Sequence, residues 1–351
     1  MIRRLQALPP TQRQWAFLGL LAAVVAIFLA LAVLVLILIA RSSPRLIPVA
    51  LQANVRVAEF ARLSDPQAYP AALAIDPQGQ AIFTGSYVHG AVWRIDPQTG
   101  EADELLGSRT NVGSVTALAV QPDGLYVLDR IDPLEARGFI VWRWTAQEGW
   151  QRRIDYEGRD EVLLPDDLAF DGQGRAYISD RGRDAVWRFP DEAMWWRSPQ
   201  VEGAQAYAPT GLAYLPDRDA MLIGDSLLDI LYQVDVEADD PTLATVVLYD
   251  RRASGGQPLG LDGLTVDGQG RVVVAALATN QILALNPVDG TLTAWAGNYR
   301  GSSDVAYDVQ RGRFIVTNWD QRSLLPLPVL FFQVPIDPHL PFSLDTLIVE
   351  E

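Results

Sequence analysis

Cysteine and lysine are absent from the 351 residues, and histidine occurs only as His89 and His339. Without thiols the chain forms no disulfide and offers no thiolate nucleophile, zinc-thiolate site, iron-sulfur cluster or covalent haem link. Without lysine it forms no Schiff base and carries no P-loop lysine. All 28 basic residues are arginine, so any catalysis has to rest mainly on carboxylates, hydroxyls, arginine or a bound cation.

What is present is acid, unevenly spread. Residues 1–45 carry five Arg (Arg3, Arg4, Arg13, Arg41, Arg45) and no acid, which leaves 23 Arg against 43 acids in the remainder, so +5 and −20 make up the net −15. A globular part this acidic repels phosphate backbones and argues against nucleic acid as a partner, while basic proteins and cations suit it.

From Trp15 to Ala40 no residue is charged. At about 1.5 Å per residue, a helix of that length crosses a hydrocarbon core of about 30 Å. A cleaved signal peptide is the competing reading, but its apolar stretch usually runs to only about 7–15 residues and ends in a small-x-small site. The expected organisation is therefore a cytoplasmic segment 1–14, a transmembrane helix 15–40, a linker 41–53 and a folded domain 54–351. Three Arg before the helix against two directly after it favour a single-pass protein of the cell membrane, with its N-terminus cytoplasmic and its folded domain extracytoplasmic.

The folded domain repeats. LPDDLAFDGQGRAYISDRGRDAVWRF (164–189) reads as strand, glycine turn, strand, polar loop and strand, and similar segments begin at Tyr69, Val115, Ala208, Leu261 and Ser302. Their equivalent apolar anchors, Leu73, Leu118, Leu168, Leu212, Leu264 and Val305, are 45, 50, 44, 52 and 41 residues apart. Several strands per unit at a period of about 40–50 residues is the signature of propeller blades, and six units can close a ring. The expected fold is all-β, a six-bladed β-propeller preceded by one transmembrane α-helix. Closure has two candidates for the outer strand of the sixth blade: the tail FSLDTLIVE (342–350) or the early stretch NVRVAEFARL (54–63).

The recurring Leu-Ala strand, acidic turn, second strand and Asp-Ser or Asp-Arg resembles the six-bladed propellers of the gluconolactonase/senescence-marker and strictosidine synthase-like group, with NHL-type repeat propellers close by. The resemblance covers about residues 66–340. It implies that the residue pair before each anchor faces the mouth of the central channel: Ala71-Ala72, Thr116-Ala117, Asp166-Asp167, Thr210-Gly211, Asp262-Gly263 and Ser303-Asp304. It also implies a metal held by a Glu of the first blade, an Asn of an Asn-Gly-Leu pattern and an Asp of an Asp-Gly pattern that also acts in catalysis. Asp262 matches the last, whereas the Asn position holds Thr210 and the Glu position Ala71. Asp166-Asp167 resembles the family's Asn-Asp pair, which places Asp167 in the substrate pocket.

Two readings of the mouth stand side by side. In one, Asp166, Thr210, Asp262 and Asp304 hold a calcium ion, which takes six to eight oxygen ligands. In the other, each carboxylate caps backbone amides at a strand start. His89, in SYVHGA, is a candidate proton shuttle on the same face or else a turn residue. Trp195 and Trp196 are adjacent where alternation buries only one, which makes them a candidate interface anchor beside Arg197 or else a pair that both pack into the blade sides. The apolar, proline-interrupted stretch 324–335 is a candidate contact with the bilayer, with another subunit or with its own blade. The resulting functional expectation is a binding or scaffolding module within a membrane protein complex, with a calcium-dependent lactonase or hydrolase as the alternative.

Overall fold

The computed structural model describes residues 9–41, 46–159, 164–286, 289–324, 327–329, 332–334 and 336–350. They belong to two compact units, one of Met1–Arg45 with Arg322–Pro338 and one of Leu46–Gln321 with His339–Glu351. Arg3, Arg4 and Arg45, which carry much of the orientation argument, lie outside the described residues, as do parts of the stretch 324–335.

The first unit contains a single long helix, Pro10–Arg41. Proline is tolerated at a first helical position because an N–H there has no intrahelical acceptor to lose. Gln14–Leu38 is long and apolar enough to cross a membrane, and its large side chains are exposed around the helix, Trp15 to 74% and Phe28 to 68%. A helix that is apolar all round needs either a protein core or lipid about it. The same unit holds a short antiparallel pair, Leu327–Val329 with Phe332–Val334.

The second unit is the propeller. Six sheets follow one another around the ring, and their innermost strands are Pro70–Ile75, Val115–Gln121, Pro165–Phe170, Pro209–Leu215, Leu261–Val266 and Val305–Asp308. Each contains one of the six repeat anchors. Every pair of neighbouring blades shares an apolar cluster, including the pair formed by the last blade and the first, where Ile315 and Leu344 meet Leu73, Ile82 and Ile95. The core is thus a ring of six interfaces, each lined by the β-branched and aromatic residues that fit a pleated surface.

Closure uses both candidate segments. Phe342–Val349 is the third strand of blade 6, and Val55–Leu63 lies outside it as the fourth, with Val55 opposite Val349 and Leu63 opposite Phe342. The expectation of a choice between them is corrected: the tail follows the second strand Arg313–Asn318 only after a long excursion, so sequence adjacency does not show it as a third strand. Within the stretch expected as linker, Val49–Ala50 already pairs with Gly297 and Ala296 as a fifth strand on blade 5.

Much of the acid content is structural. Asp171 and Asp267, in the turns after the first strands of blades 3 and 5, each accept two turn amides and pair with Arg175 and Arg271. At the opposite end of the blades Asp129, Asp180 and Asp225 close the second strands and accept the amides of the loops around them. These aspartates act as Asx caps on otherwise unpaired backbone donors.

Candidate site at the channel mouth

In five of the six blades the innermost strand breaks register with its neighbour just before the anchor: between Pro70 and Ala72, Val115 and Ala117, Pro165 and Leu168, Pro209 and Leu212, and Leu261 and Leu264. In blade 6 the equivalent pair, Ser303-Asp304, precedes the paired strand. Such bulges release residues from the ladder and re-aim their side chains. At this end of the channel a cavity of ≈ 90 Å3 is lined from all six blades by residues that include Ala71, Thr116, Asp166, Gly211, Asp262 and Asp304.

The mouth is stitched together blade to blade. Asp167 Oδ2 accepts the Leu212 amide at 2.6 Å and Oδ1 accepts its neighbour Leu168 at 2.7 Å. Asp304, on the opposite side of the ring, repeats the arrangement with Leu73 at 2.7 Å and Val305 at 2.8 Å. Between blades 5 and 6 the Gly263 amide donates to the Ser303 carbonyl at 2.8 Å. A Cβ on Gly263 would fall 2.2 Å from Asp304 Oδ1, so only glycine permits this approach.

Asp166, Asp167, Asp262 and Asp304 are therefore gathered at one cavity, as the resemblance implies. Their environments differ. Burial first, and then the Asp166 charge, push Asp167 up to about 7 against the pull of its two amide donors. Burial also pushes Asp262 and Asp304 well above the usual carboxylate range, reinforced by Asp166 at Asp262 and by Asp167 at Asp304. Among the described residues Asp262 accepts no hydrogen bond, and Arg181 is the positive charge acting on it. Asp166 lies against that same Arg181, whose Nε is 3.2 Å from its Oδ1.

The other expected residues are placed elsewhere. Thr210 is 1% exposed and donates its hydroxyl hydrogen bond to the Leu261 carbonyl at 2.8 Å, linking blades 4 and 5. His89 stays outside the residues lining the mouth. Its Nδ1 accepts the Ala91 amide, and its Nε2 lies 3.3 Å from Asp65 and 3.2 Å from Arg109. Burial and then the Arg109 charge push its pKa down, against the pull of Asp65. Trp195 and Trp196 are 7% and 1% exposed, which corrects the expectation of a surface anchor. A bulge between Val186 and Trp187 on the partner strand's ladder lets two consecutive side chains enter the core. Trp195 meets Tyr177 edge-on, and Trp196 donates to Thr245.

Sequence reasoning missed Tyr87, Arg181, Leu277 and Trp319, which also line the cavity. Each directly follows the last residue of a second strand. The signal was available in the repeats, at Ser86-Tyr87, Asp180-Arg181, Ala276-Leu277 and Asn318-Trp319.

The donor set does not fit the metal that the family resemblance implies. At the Glu position Ala71 offers only a methyl group, and at the Asn position the Thr210 hydroxyl is committed to a carbonyl. Asp167 and Asp304 each accept two backbone amides, and among the described residues no three Asp, Glu or His side chains are grouped so as to hold a metal ion.

Comparison with solved structures places the fold. A gluconolactonase from Xanthomonas campestris is 16% identical with a TM-score of 0.59, covering 88% of this chain and 99% of its own. A streptogramin B lyase is 11% identical with a TM-score of 0.59, covering 85% and 98%. The calcium-binding protein regucalcin from Agrobacterium tumefaciens is 12% identical with a TM-score of 0.55, covering 84% and 96%. Among curated protein sequences nothing matches. Residues 115–298, just over half of the chain, match the family described as SMP-30/Gluconolactonase/LRE-like region, and the chain belongs to that family.

Proposed function

We propose that the chain is a membrane-anchored propeller that binds or scaffolds other proteins and does not hydrolyse a lactone. The observation that carries this reading is the donor set of the mouth, where two of the three expected metal positions hold Ala71 and a committed Thr210, and where Arg181 pairs with Asp166. The helix Gln14–Leu38 is the anchor in this reading. The N-terminus is cytoplasmic and the propeller extracytoplasmic, as the arginine distribution favours. An acidic propeller suits partners with basic surfaces, themselves membrane or extracytoplasmic proteins.

Cross-linking of the full-length chain in native membranes, followed by mass determination, tests this. Discrete higher-mass adducts are expected, and recovery of the monomer alone counts against the proposal. A calcium-dependent lactonase remains the second reading, favoured by family membership and by an Asp262 without a hydrogen bond in the mouth. Calcium-stimulated hydrolysis of a sugar lactone that disappears in Asp262→Ala would establish that alternative.

A further inference from the structure

Arg181 enters the mouth from the loop after the second strand of blade 3, Ala176–Asp180. Its backbone is fixed on both sides. The Arg181 amide donates to the Leu164 carbonyl at 3.1 Å, while Asp180 Oδ1 accepts the amides of Leu164 and Gly182 at 2.9 Å each. The guanidinium thus reaches the channel from a rigid base. It makes an ion pair with Asp166, and Asp262 is the next strongest acid acting on it.

Carboxylates gathered in a confined cavity require a compensating positive charge or a proton. Asp167 and Asp304 are compensated in part by backbone amides. Asp166 and Asp262 have no such donors among the hydrogen bonds of the described residues, and the positive side chain facing them is Arg181. At this same place the chain lacks two of the oxygen ligands that the family pattern requires. The mouth thus holds a guanidinium among its acids where those oxygen donors are missing. Arginine suits the role because its charge is delocalised, weakly hydrated and not removed by deprotonation.

We propose that the Arg181 guanidinium is a built-in replacement for a divalent cation at the channel mouth, neutralising Asp166 and Asp262 and excluding calcium from them. The inference rests on the non-catalytic reading of the mouth, and it makes Arg181 the residue that determines whether the mouth takes a metal. Removal of the guanidinium is then expected to expose a weak calcium site built from Asp166, Asp262 and water.

The test is thermal unfolding of the full-length protein in detergent, after chelator treatment, with and without added calcium chloride. The natural chain, Arg181→Gln, Asp262→Asn and the double variant Arg181→Gln/Asp262→Asn are compared. Calcium is expected to raise the unfolding temperature of Arg181→Gln and to leave the others unchanged. A calcium-induced shift in the natural chain that is absent from Asp262→Asn overturns the inference, and so does the absence of any shift in Arg181→Gln. If Arg181→Gln does not fold without calcium, recovery on refolding with calcium supports the inference. If it folds in neither condition, recovery of folding in the double variant supports charge compensation and failure to recover overturns it. Lactone hydrolysis by the natural chain would instead sink the non-catalytic reading, so the two failures are distinguishable.

Discussion

The Asp304 carboxylate of blade 6 accepts the backbone N–H of Leu73 in blade 1 at 2.7 Å. A side chain thus joins the last blade to the first on the innermost circle of the ring, complementing the strand closure on the outside, where Val55–Leu63 pairs with Phe342–Val349. Replacement by alanine leaves the Leu73 and Val305 amides without their acceptor in a poorly hydrated place. Each orphaned donor costs about 1–3 kcal/mol. Asp304→Ala is expected to lower the unfolding free energy by that amount per amide, and Asp304→Asn, which keeps one acceptor, by less. Urea denaturation followed by tryptophan fluorescence measures both, and an alanine variant as stable as the natural chain contradicts the structural role.

Asp167 makes stability depend on pH in a defined direction. Its pKa is pushed up to about 7 in the folded protein, whereas an unfolded aspartate releases its proton near about 3.9. Between those values the folded state holds more protons than the unfolded one, so stability falls as pH rises from about 4 to about 7. Asp262 and Asp304 act in the same direction. The unfolding temperature of Asp167→Asn is expected to show a flatter decline over this range than that of the natural chain. Parallel profiles would show that Asp167 titrates normally.

Trp196 is a core residue, packed against Tyr232 with ring centroids 5.5 Å apart and hydrogen-bonded to Thr245 at 2.8 Å. Trp196→Ala is expected to destabilise the propeller by about 3–5 kcal/mol, the usual cost of removing a buried large aromatic side chain. A surface anchor would instead leave stability unchanged and weaken a partner's binding. Denaturant midpoints separate the two outcomes.

The absence of cysteine makes topology directly measurable. Leu243 is 83% exposed in the loop between the third and fourth strands of blade 4, so Leu243→Cys introduces one thiol into a chain that has none. An extracytoplasmic propeller predicts labelling by a membrane-impermeant maleimide in intact cells. Labelling only after lysis places the propeller inside, and recovery of a shortened chain free of the membrane identifies the helix as a cleaved signal.

The anchors Leu73 through Val305 were legible because a blade's inner strand is a local pattern: alternating apolar residues, a glycine turn and a second strand within about 25 residues. The gathering of Asp166, Asp167, Asp262 and Asp304 followed from that repeat, since equivalent positions in a ring converge. What those side chains do there was not legible. Thr210 looks like a ligand in sequence, but its acceptor is the carbonyl of Leu261, 51 residues away. Arg181 reads as a loop residue until the pairing of Pro165 with Asp180 in the blade 3 hairpin brings Asp166 to it. Trp195 and Trp196 break the alternation because a bulge, set by pairing with a second strand, admits both.

Whether the mouth takes a metal is decided by a calorimetric titration of calcium into the full-length, chelator-treated protein. No binding heat beyond dilution is expected, and no difference between the natural chain and Asp262→Ala. Saturable binding by the natural chain that is lost in Asp262→Ala would contradict that expectation.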